Sequence, residues 1–509
     1  MLSRAYGVPT AVSKGSFGNR SMVVFCNASK GAFCNRPEDR LPEGLRRSWT
    51  AASENPPGSA VPRVRPGRFP HPSLQQVRHQ GADLAIGPLW RLSPPCGIDV
   101  CRHILARMRI LFVNDYGAMY GGAERTIIGL RDEMRRRGHR AALFTSSVRP
   151  AGAASFADFE CRGTAGSLRT LLQSANPWAR LRLGHVLRQF RPDVVHVGLF
   201  LTQLSPFILP LLRTVPSIYH VMWSRFACPI GTKQLPDGSA CGEPWGRACL
   251  VHGCLPVHDW LPLMGQLRLL EHWWNAFEEV LVESETMRSM ALTAGLGPVQ
   301  VIGNAVAAAD PRPFPGGQPV VVAGGRLVPT KGFAELVEAF AIVVRSLPKA
   351  RLVIIGHGPE ASRLVRLASD LGIAAAVTFA GFVEGPALDA IFRTAWITVV
   401  PSLAPESFCL MAAESMIRGV PVVATDAGAL AETVRDGEGG LVVSAGDQAA
   451  LAGAIRSLLE PFRATALGES ARQSAVRRFG FDDYSNRIEA VYERLATRGP
   501  SRFRQGGQL

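Results

Sequence analysis

Long apolar runs are what this 509-residue sequence lacks most. None reaches the roughly 18–20 uncharged residues that a membrane-spanning helix needs. The nearest run, Leu199 to Leu212, is too short, contains Gln203, Ser205 and two prolines, and stops at Arg213. It is expected as a buried helix, with a membrane-surface helix as the alternative. A signal peptide is not expected, because the apolar patch Met22–Phe25 is too short for its central region. No nucleic-acid motif and no interleaved basic and aromatic stripe is found, so nucleic acid is not an expected partner. Acidic residues are in the minority, 41 against 56 Lys and Arg, for a formal charge of +15. Residues 1–107 hold fifteen of the basic and only six of the acidic residues. The remainder is mildly basic, which suits phosphates or an anionic membrane face but decides little alone.

Residues 1–107 also lack any sustained period of two or 3.6. They are rich in Pro, Arg, Gly and Ser, as in Val61-Pro-Arg-Val-Arg-Pro-Gly-Arg68, and are expected to be a disordered extension or a mis-assigned start. What is present begins at Met108. Strand and helix patterns then alternate: Arg109–Asn114, the Gly-rich loop 117–122, a helix over Ala123–Arg137, and strands at Arg140–Thr145, Asp193–Val197 and Ser217–His220. Pro and Gly cluster between Asn304 and Gly317, and the same grammar restarts. Strands are expected at Pro319–Gly324, Arg351–Gly356, Val377–Gly381, Ile397–Pro401 and Pro421–Thr425, with a helix over Phe333–Ser346. Such alternation implies α/β domains with parallel sheets covered on both faces. A last helix, Asp482–Leu495, is long enough to cross back onto the first domain.

Ligands of open parallel sheets bind at the C-terminal ends of strands, where helix N-termini point outward. Three motifs fall there. In Gly324-Gly-Arg-Leu-Val-Pro-Thr-Lys-Gly332 two cations, Arg326 and Lys331, suit a diphosphate; alone, the loop could equally be solvated surface. In Pro401-Ser-Leu-Ala-Pro-Glu-Ser-Phe-Cys-Leu-Met-Ala-Ala-Glu414, Glu406 precedes a helix whose first amides, around Ser407, Phe408, Cys409 and Leu410, can hold phosphate. Glu414 lies on an apolar face, where an unpaired carboxylate is costly. Gly121-Gly-Ala-Glu-Arg125 offers close backbone approach at the start of the first helix, although a tight capped turn would look the same.

In order and spacing these pieces, with Gly356-His-Gly-Pro359 and Gly419-Val-Pro-Val422 between and after them, resemble the family 4 glycosyltransferases from Met108 to about Leu495. The resemblance implies the GT-B architecture of two Rossmann-like domains facing across a cleft. The first domain would span 108–305 with a Cys-rich insert at 228–254, the second 306–480, the crossing helix 481–497 and a tail 498–509. It further implies a retaining enzyme that takes a sugar from a UDP- or GDP-linked donor to a glycan or lipid-linked acceptor, without a metal cofactor, in the cytoplasm or at its membrane face. Arg326 and Lys331 would hold the diphosphate, Glu414 the ribose, and Glu406 would face the donor sugar. Gly122 would approach the phosphates, and His220 would stand at the cleft near the sugar. Ser407 and Cys409 replace glycines usual in the family. A GT-B epimerase and a catalytically degenerate sugar-binding scaffold are the alternatives.

Cys228, Cys241, Cys249 and Cys254 fall within one Pro- and Gly-rich segment. Four thiolates could form a structural zinc site, although the spacing is that of no standard finger; free thiols are the other reading. A chain beginning at Met108 is expected to stay folded and active. Loss of soluble protein on removing residues 1–107 would contradict that expectation.

Overall fold

The computed structural model describes residues 107–498 except 120, 150–152, 165 and 167. The expectations for residues 1–106 and 499–509 therefore lie outside the described residues. Two sheets form, and every strand pair within them is parallel.

The first sheet contains β1 (Arg109–Tyr116), β2 (Arg140–Ser146), β3 (Phe159–Cys161), β4 (Val194–Val197), β5 (Ser217–Val221), β6 (Glu279–Val282) and β7 (Val299–Val301). Their order is β3-β2-β1-β4-β5-β6-β7. The second contains β8 (Val320–Gly324), β9 (Arg351–Ile355), β10 (Val377–Gly381), β11 (Ile397–Val400), β12 (Val422–Thr425) and β13 (Gly440–Val443), in the order β10-β9-β8-β11-β12-β13. In each sheet the order reverses beside the first strand, between β1 and β4 and between β8 and β11. Loops leaving the strands there diverge and open a crevice for ligands.

The central strands are apolar along their length because both faces are covered. Six successive residues of β1 are buried. One face packs against the helix Gly122–Arg136 and against the final helix Phe481–Arg498, whose Tyr484, Ile488, Val491, Tyr492 and Leu495 share a core with Ile110, Phe112 and Ile128. Polar contacts orient that helix: Arg137 and His139 both engage Glu489, at 2.5 and 2.7 Å, and Arg494 meets Glu279 at 2.7 Å. The chain enters the helix through a backbone ladder in which Val306 N donates to Phe479 O at 3.0 Å. The last helix thus begins beside the interdomain linker and ends on the first sheet.

One expectation is corrected. Leu199–Leu212 is not a single helix: a turn precedes a 3-10 turn, Pro206–Ile208, and a single helical turn, Leu209–Leu212. Asp115, buried at the end of β1, accepts hydrogen bonds from the amides of Thr202, Gln203 and Leu204 and from the Thr202 hydroxyl. Those amides are held in a turn, and Pro206 cannot donate within a helix. The segment is nonetheless mostly buried. Among the described residues no helix is long and apolar enough to cross a membrane.

Ile488 is fully buried between the first and last elements of this domain. Ile488→Ala is expected to destabilise the protein by about 2–5 kcal/mol, read as a lower midpoint in urea unfolding. A change below about 0.5 kcal/mol would show that the final helix contributes little to the first domain.

Candidate functional site

The loops that follow β8 and β11 in the second domain are locked together by close backbone contacts, one of which only glycine permits. Gly332 sits at φ +67°, and a Cβ there would lie 1.9 Å from Pro401 O. Thr330 O accepts from the amides of Leu403 and Ala404 at 2.9 and 3.1 Å. The loop after β8 is thereby pinned against the loop after β11. These contacts bring Lys331 Nζ to 2.5 Å from Glu406 Oε1, which also accepts from Ser402 Oγ at 2.5 Å. Burial opposes the charged form of Glu406 most strongly. The attraction and hydrogen bond of Lys331, the Ser402 hydroxyl and the charge of Arg326 outweigh it and hold the carboxyl below its usual range. Arg326 also reaches across the cleft electrostatically to Glu124 of the first domain.

The helix Leu410–Ile417 starts immediately beyond. Its cap residue Cys409 adopts φ +78° and ψ +88°, a left-handed conformation that favours glycine and is strained for a side chain. The departure from glycine noted in the sequence therefore falls where the backbone needs positive φ. Burial, then the charge of Glu406, pushes the Cys409 thiol up to about 12, so it stays protonated. The Phe408 side chain turns away into the second core, where it meets Phe479 edge-on at 5.1 Å. At most its backbone can serve a ligand.

The first domain closes over this surface. A Cβ on Gly122 would meet Leu410 Cδ1 at 2.7 Å, so the Gly121–Gly122 turn faces the start of that helix. Glu414 is paired: Arg125 Nη1 donates to its Oε1 at 2.6 Å from the opposite domain. Ser407 Oγ donates to Met222 O at 3.2 Å. Glu432 accepts from the amides of Glu285 and Thr286, both at 2.8 Å, placing a carboxylate at the N-terminus of the helix Glu285–Thr293, where the helix dipole favours it.

His220 lies two residues before Met222, yet its ring is fully buried rather than exposed in the cleft. The ring is enclosed beside His196 at the C-terminal end of β5, and burial lowers its pKa to about 4, so it is neutral near pH 7.

Arg326, Lys331, Glu406 and Glu414 thus line one cleft opposite Gly122. Sequence reasoning missed Ser402, Glu124, Arg125 and Glu283. Glu124 and Arg125 stand inside the quoted glycine motif, which was the available signal. Glu283, just past β6, had none. It is buried, bonds Asn304 Nδ2 at 2.7 Å, and lies beside Ser407 and Glu406.

The four cysteines of the insert lie near one another: burial first, then Cys228 and Cys241, raises the Cys249 thiol, and burial first, then Cys249, Cys228 and Cys241, raises that of Cys254. Cys228, Cys241, Cys249 and Cys254 are free thiols, and among the described residues no three His, Cys, Asp or Glu side chains are grouped to hold a metal. The backbone of the insert forms a bridge between Gln234 and Ala240 and turns around Gly231 and Gly246, while Cys228 is buried beside the first core.

Burial raises the Glu283 carboxyl to about 7, with Ser407 and Asn304 opposing the shift and Glu406 adding to it. A folded value above the unfolded one means that ionisation destabilises the fold as pH rises from about 4.5 to 7. Glu283→Gln is therefore expected to be more stable than the parent at pH 8, with the difference shrinking towards pH 4.5. Denaturant unfolding at both pH values measures it, and a gap that widens on acidification would contradict the assignment.

Comparison with known proteins agrees with this geometry. The family described as Glycosyltransferase Family 4 matches residues 120–310, and that described as Glycosyl transferases group 1 matches residues 308–474. A D-inositol 3-phosphate glycosyltransferase of Acidothermus cellulolyticus is 43% identical over 183 residues, 34% of this chain and 40% of that protein. A phosphatidyl-myo-inositol mannosyltransferase of Mycobacterium leprae is 35% identical over 184 residues, 36% of this chain and 48% of the relative. The matched region thus spans two fifths to about half of these relatives' length. Among solved structures, sucrose-phosphate synthase from Thermosynechococcus elongatus superposes with a TM-score of 0.62 at 22% identity, covering 77% of this chain and all of that one. Anabaena HepE, solved with UDP and glucose, does so at 0.55 and 20%, covering 76% of this chain and all of its own. Two parallel sheets joined by a returning C-terminal helix, with matches to both halves, identify the chain as a member of the family 4 glycosyltransferases with the GT-B fold.

Proposed function

We propose that this chain transfers a sugar from a UDP- or GDP-linked donor, with retention of anomeric configuration, to a glycan or lipid-linked acceptor of cell-envelope polysaccharide or glycolipid synthesis. The observation that carries the reading is the convergence of Lys331 and Arg326 on Glu406, beside a helix N-terminus that the Gly122 turn faces. A nucleotide-sugar breaks at the sugar–phosphate bond, and charge accumulates on the departing diphosphate. Preorganised cations and helix amides stabilise that charge without reorganising. The leaving phosphate can take the proton of the acceptor hydroxyl, so no separate base is required. Glu406 faces the donor sugar, His220 contacts it from the first domain, and Glu414 bonds the ribose, for which the ribose competes with Arg125.

The activities for which the relatives are named support the donor and acceptor classes: transfer to inositol phosphate, to phosphatidyl-myo-inositol, and from GDP-mannose to a phosphatidylinositol mannoside. A lipid-linked acceptor would bring the enzyme to the cytoplasmic membrane surface. Val251, Val257 and Leu261, at and beside the start of the helix Val257–Trp273, are exposed apolar residues suited to such contact.

Nucleotide-sugars that raise the melting temperature identify the donor, and NMR of the product gives its anomeric configuration. Lys331→Ala should lower turnover by about 100-fold or more, because its partner charge develops in the transition state. Glu414→Ala should chiefly weaken donor affinity, because a ribose contact is alike in both states. Normal turnover in Lys331→Ala, or undiminished nucleotide binding in Glu414→Ala, would overturn these roles. Donor turnover without any acceptor, yielding an isomerised nucleotide-sugar, would replace transfer by epimerisation.

A further inference from the structure

One buried polar atom beside the cleft is left without a partner. His220 Nε2 has no hydrogen-bond partner among the described residues. Its ring ends a line of three groups: the Tyr492 hydroxyl lies 2.6 Å from His196 Nδ1, and His196 Nε2 lies 3.2 Å from His220 Nδ1. The line follows one face of the first sheet. Phe112, His196 and Ile218 are register partners on β1, β4 and β5, and His220 lies two residues beyond Ile218. It therefore points to the same face, one step nearer the C-terminal edge where ligands bind. Tyr492 comes from the final helix and stands edge-on to both Phe112 and His196, at ring separations of 6.4 and 5.8 Å.

We propose that Tyr492 is a positioning residue that, through His196, fixes His220 as the tautomer carrying its proton on Nε2, ready to donate a hydrogen bond to the bound sugar. The inference rests on the reading of His220 as a donor-sugar contact. Its support is a count of protons. The His196 pKa lies well below 6.5 through burial and the neighbouring His220, so both rings are neutral near pH 7. Burial, with Tyr484 and Glu489, pushes the Tyr492 phenol well above its ordinary value, so it keeps its proton. A neutral imidazole has one donor and one acceptor nitrogen, so the line of bonds has only two consistent directions. If Tyr492 donates to His196 Nδ1, then His196 Nε2–H donates to His220 Nδ1, and a single group, His220 Nε2–H, is left unpaired. In the reverse direction the buried phenol proton and the His220 Nε2 lone pair are both left without partners. Buried polar groups are overwhelmingly paired, so the direction leaving one unpaired group is favoured over the one leaving two. The remaining donor is the one that a sugar oxygen can satisfy.

Nitrogen-15 NMR of the full chain labelled at histidine reads the tautomer directly, with the His220 signals assigned by their loss in His220→Gln. The parent should show His220 protonated on Nε2 at neutral pH. Tyr492→Phe removes the proton that sets the direction and keeps the ring, so His220 should shift to Nδ1–H or to a mixture. Partners that fix a histidine tautomer at metal sites are worth roughly 10–100-fold; turnover in Tyr492→Phe should fall about tenfold, with the donor KM little changed. A merely structural role for Tyr492 would lower stability without moving the tautomer. An Nδ1–H tautomer in the parent, or an unaltered tautomer in Tyr492→Phe, would overturn the proposal. A switched tautomer with normal turnover would leave the relay standing and sink the reading of His220 as a sugar contact.

Discussion

A parallel sheet has two apolar faces, and both must be covered. In this protein the cover for one face of the first sheet comes from the far end of the chain. The helix Phe481–Arg498 leaves the second domain at the Phe479–Val306 ladder and lays Tyr484, Ile488 and Tyr492 over Ile110 and Phe112. Val491 and Leu495 are buried with them, and the aliphatic side chains among the five are worth roughly 1.5–3 kcal/mol each before entropy is counted. Much else follows from that requirement. The second domain cannot swing freely while its last helix is part of the first core. The spacing of the two Gly-rich loops, and so the cleft, depends on the same packing. The phenol of Tyr492 reaches His196 because the helix is already there for its apolar residues.

The cleft is also a place where carboxylates leave water, and their fates differ with the company they find. Glu406 is compensated by Lys331, Ser402 and Arg326 and stays charged. Glu283 has only Asn304 and Ser407 and is pushed up to about 7. Glu124, buried with Arg326 as its opposing charge and Asp115 as a like one, rises to about 7 as well. Fixed cations beside one ionised carboxylate and two that approach neutrality form a preorganised set of charges, the kind of arrangement suited to stabilising a change of charge. The same closeness draws the domains together through Arg125–Glu414 and through Glu432 at the Glu285–Thr293 helix.

The positions of the charged motif residues depend on backbone more than on side-chain packing. Gly332 lies against Pro401, and Gly356 against Gly325, at distances where a Cβ would overlap a carbonyl oxygen. Cys409 accepts a positive φ without being glycine, so the turn into the Leu410–Ile417 helix carries strain at the edge of the site. That strain is sustained by the packing of Phe408 on one side and Leu410 against Gly122 on the other.

The sequence by itself determined the alternation of strands and helices, the restart after Asn304–Gly317, and the motif charges Arg326, Lys331, Glu406 and Glu414. Each of these is a local pattern: an apolar run of strand length, a glycine turn, or a spacing along one loop. Strands β3, β6, β7 and β13 were not legible: they are short and lie at or next to a sheet edge, where the neighbour they pair with defines them more than an apolar run does. The Leu199–Leu212 segment was misread because the amides that keep it from forming one helix bond to Asp115, more than eighty residues earlier. The cysteines were close enough in sequence to suggest a metal, but only the folded insert decides whether four thiols converge. What remained for the tertiary structure were the partners: Arg125 for Glu414 at a separation of 289 residues, and Tyr492 for His196 at 296. A spacing rule describes neighbours along one helix or loop. It carries no information about pairs created when two domains close and a terminal helix returns, because those contacts are set by burying apolar faces and not by the residues that happen to meet there.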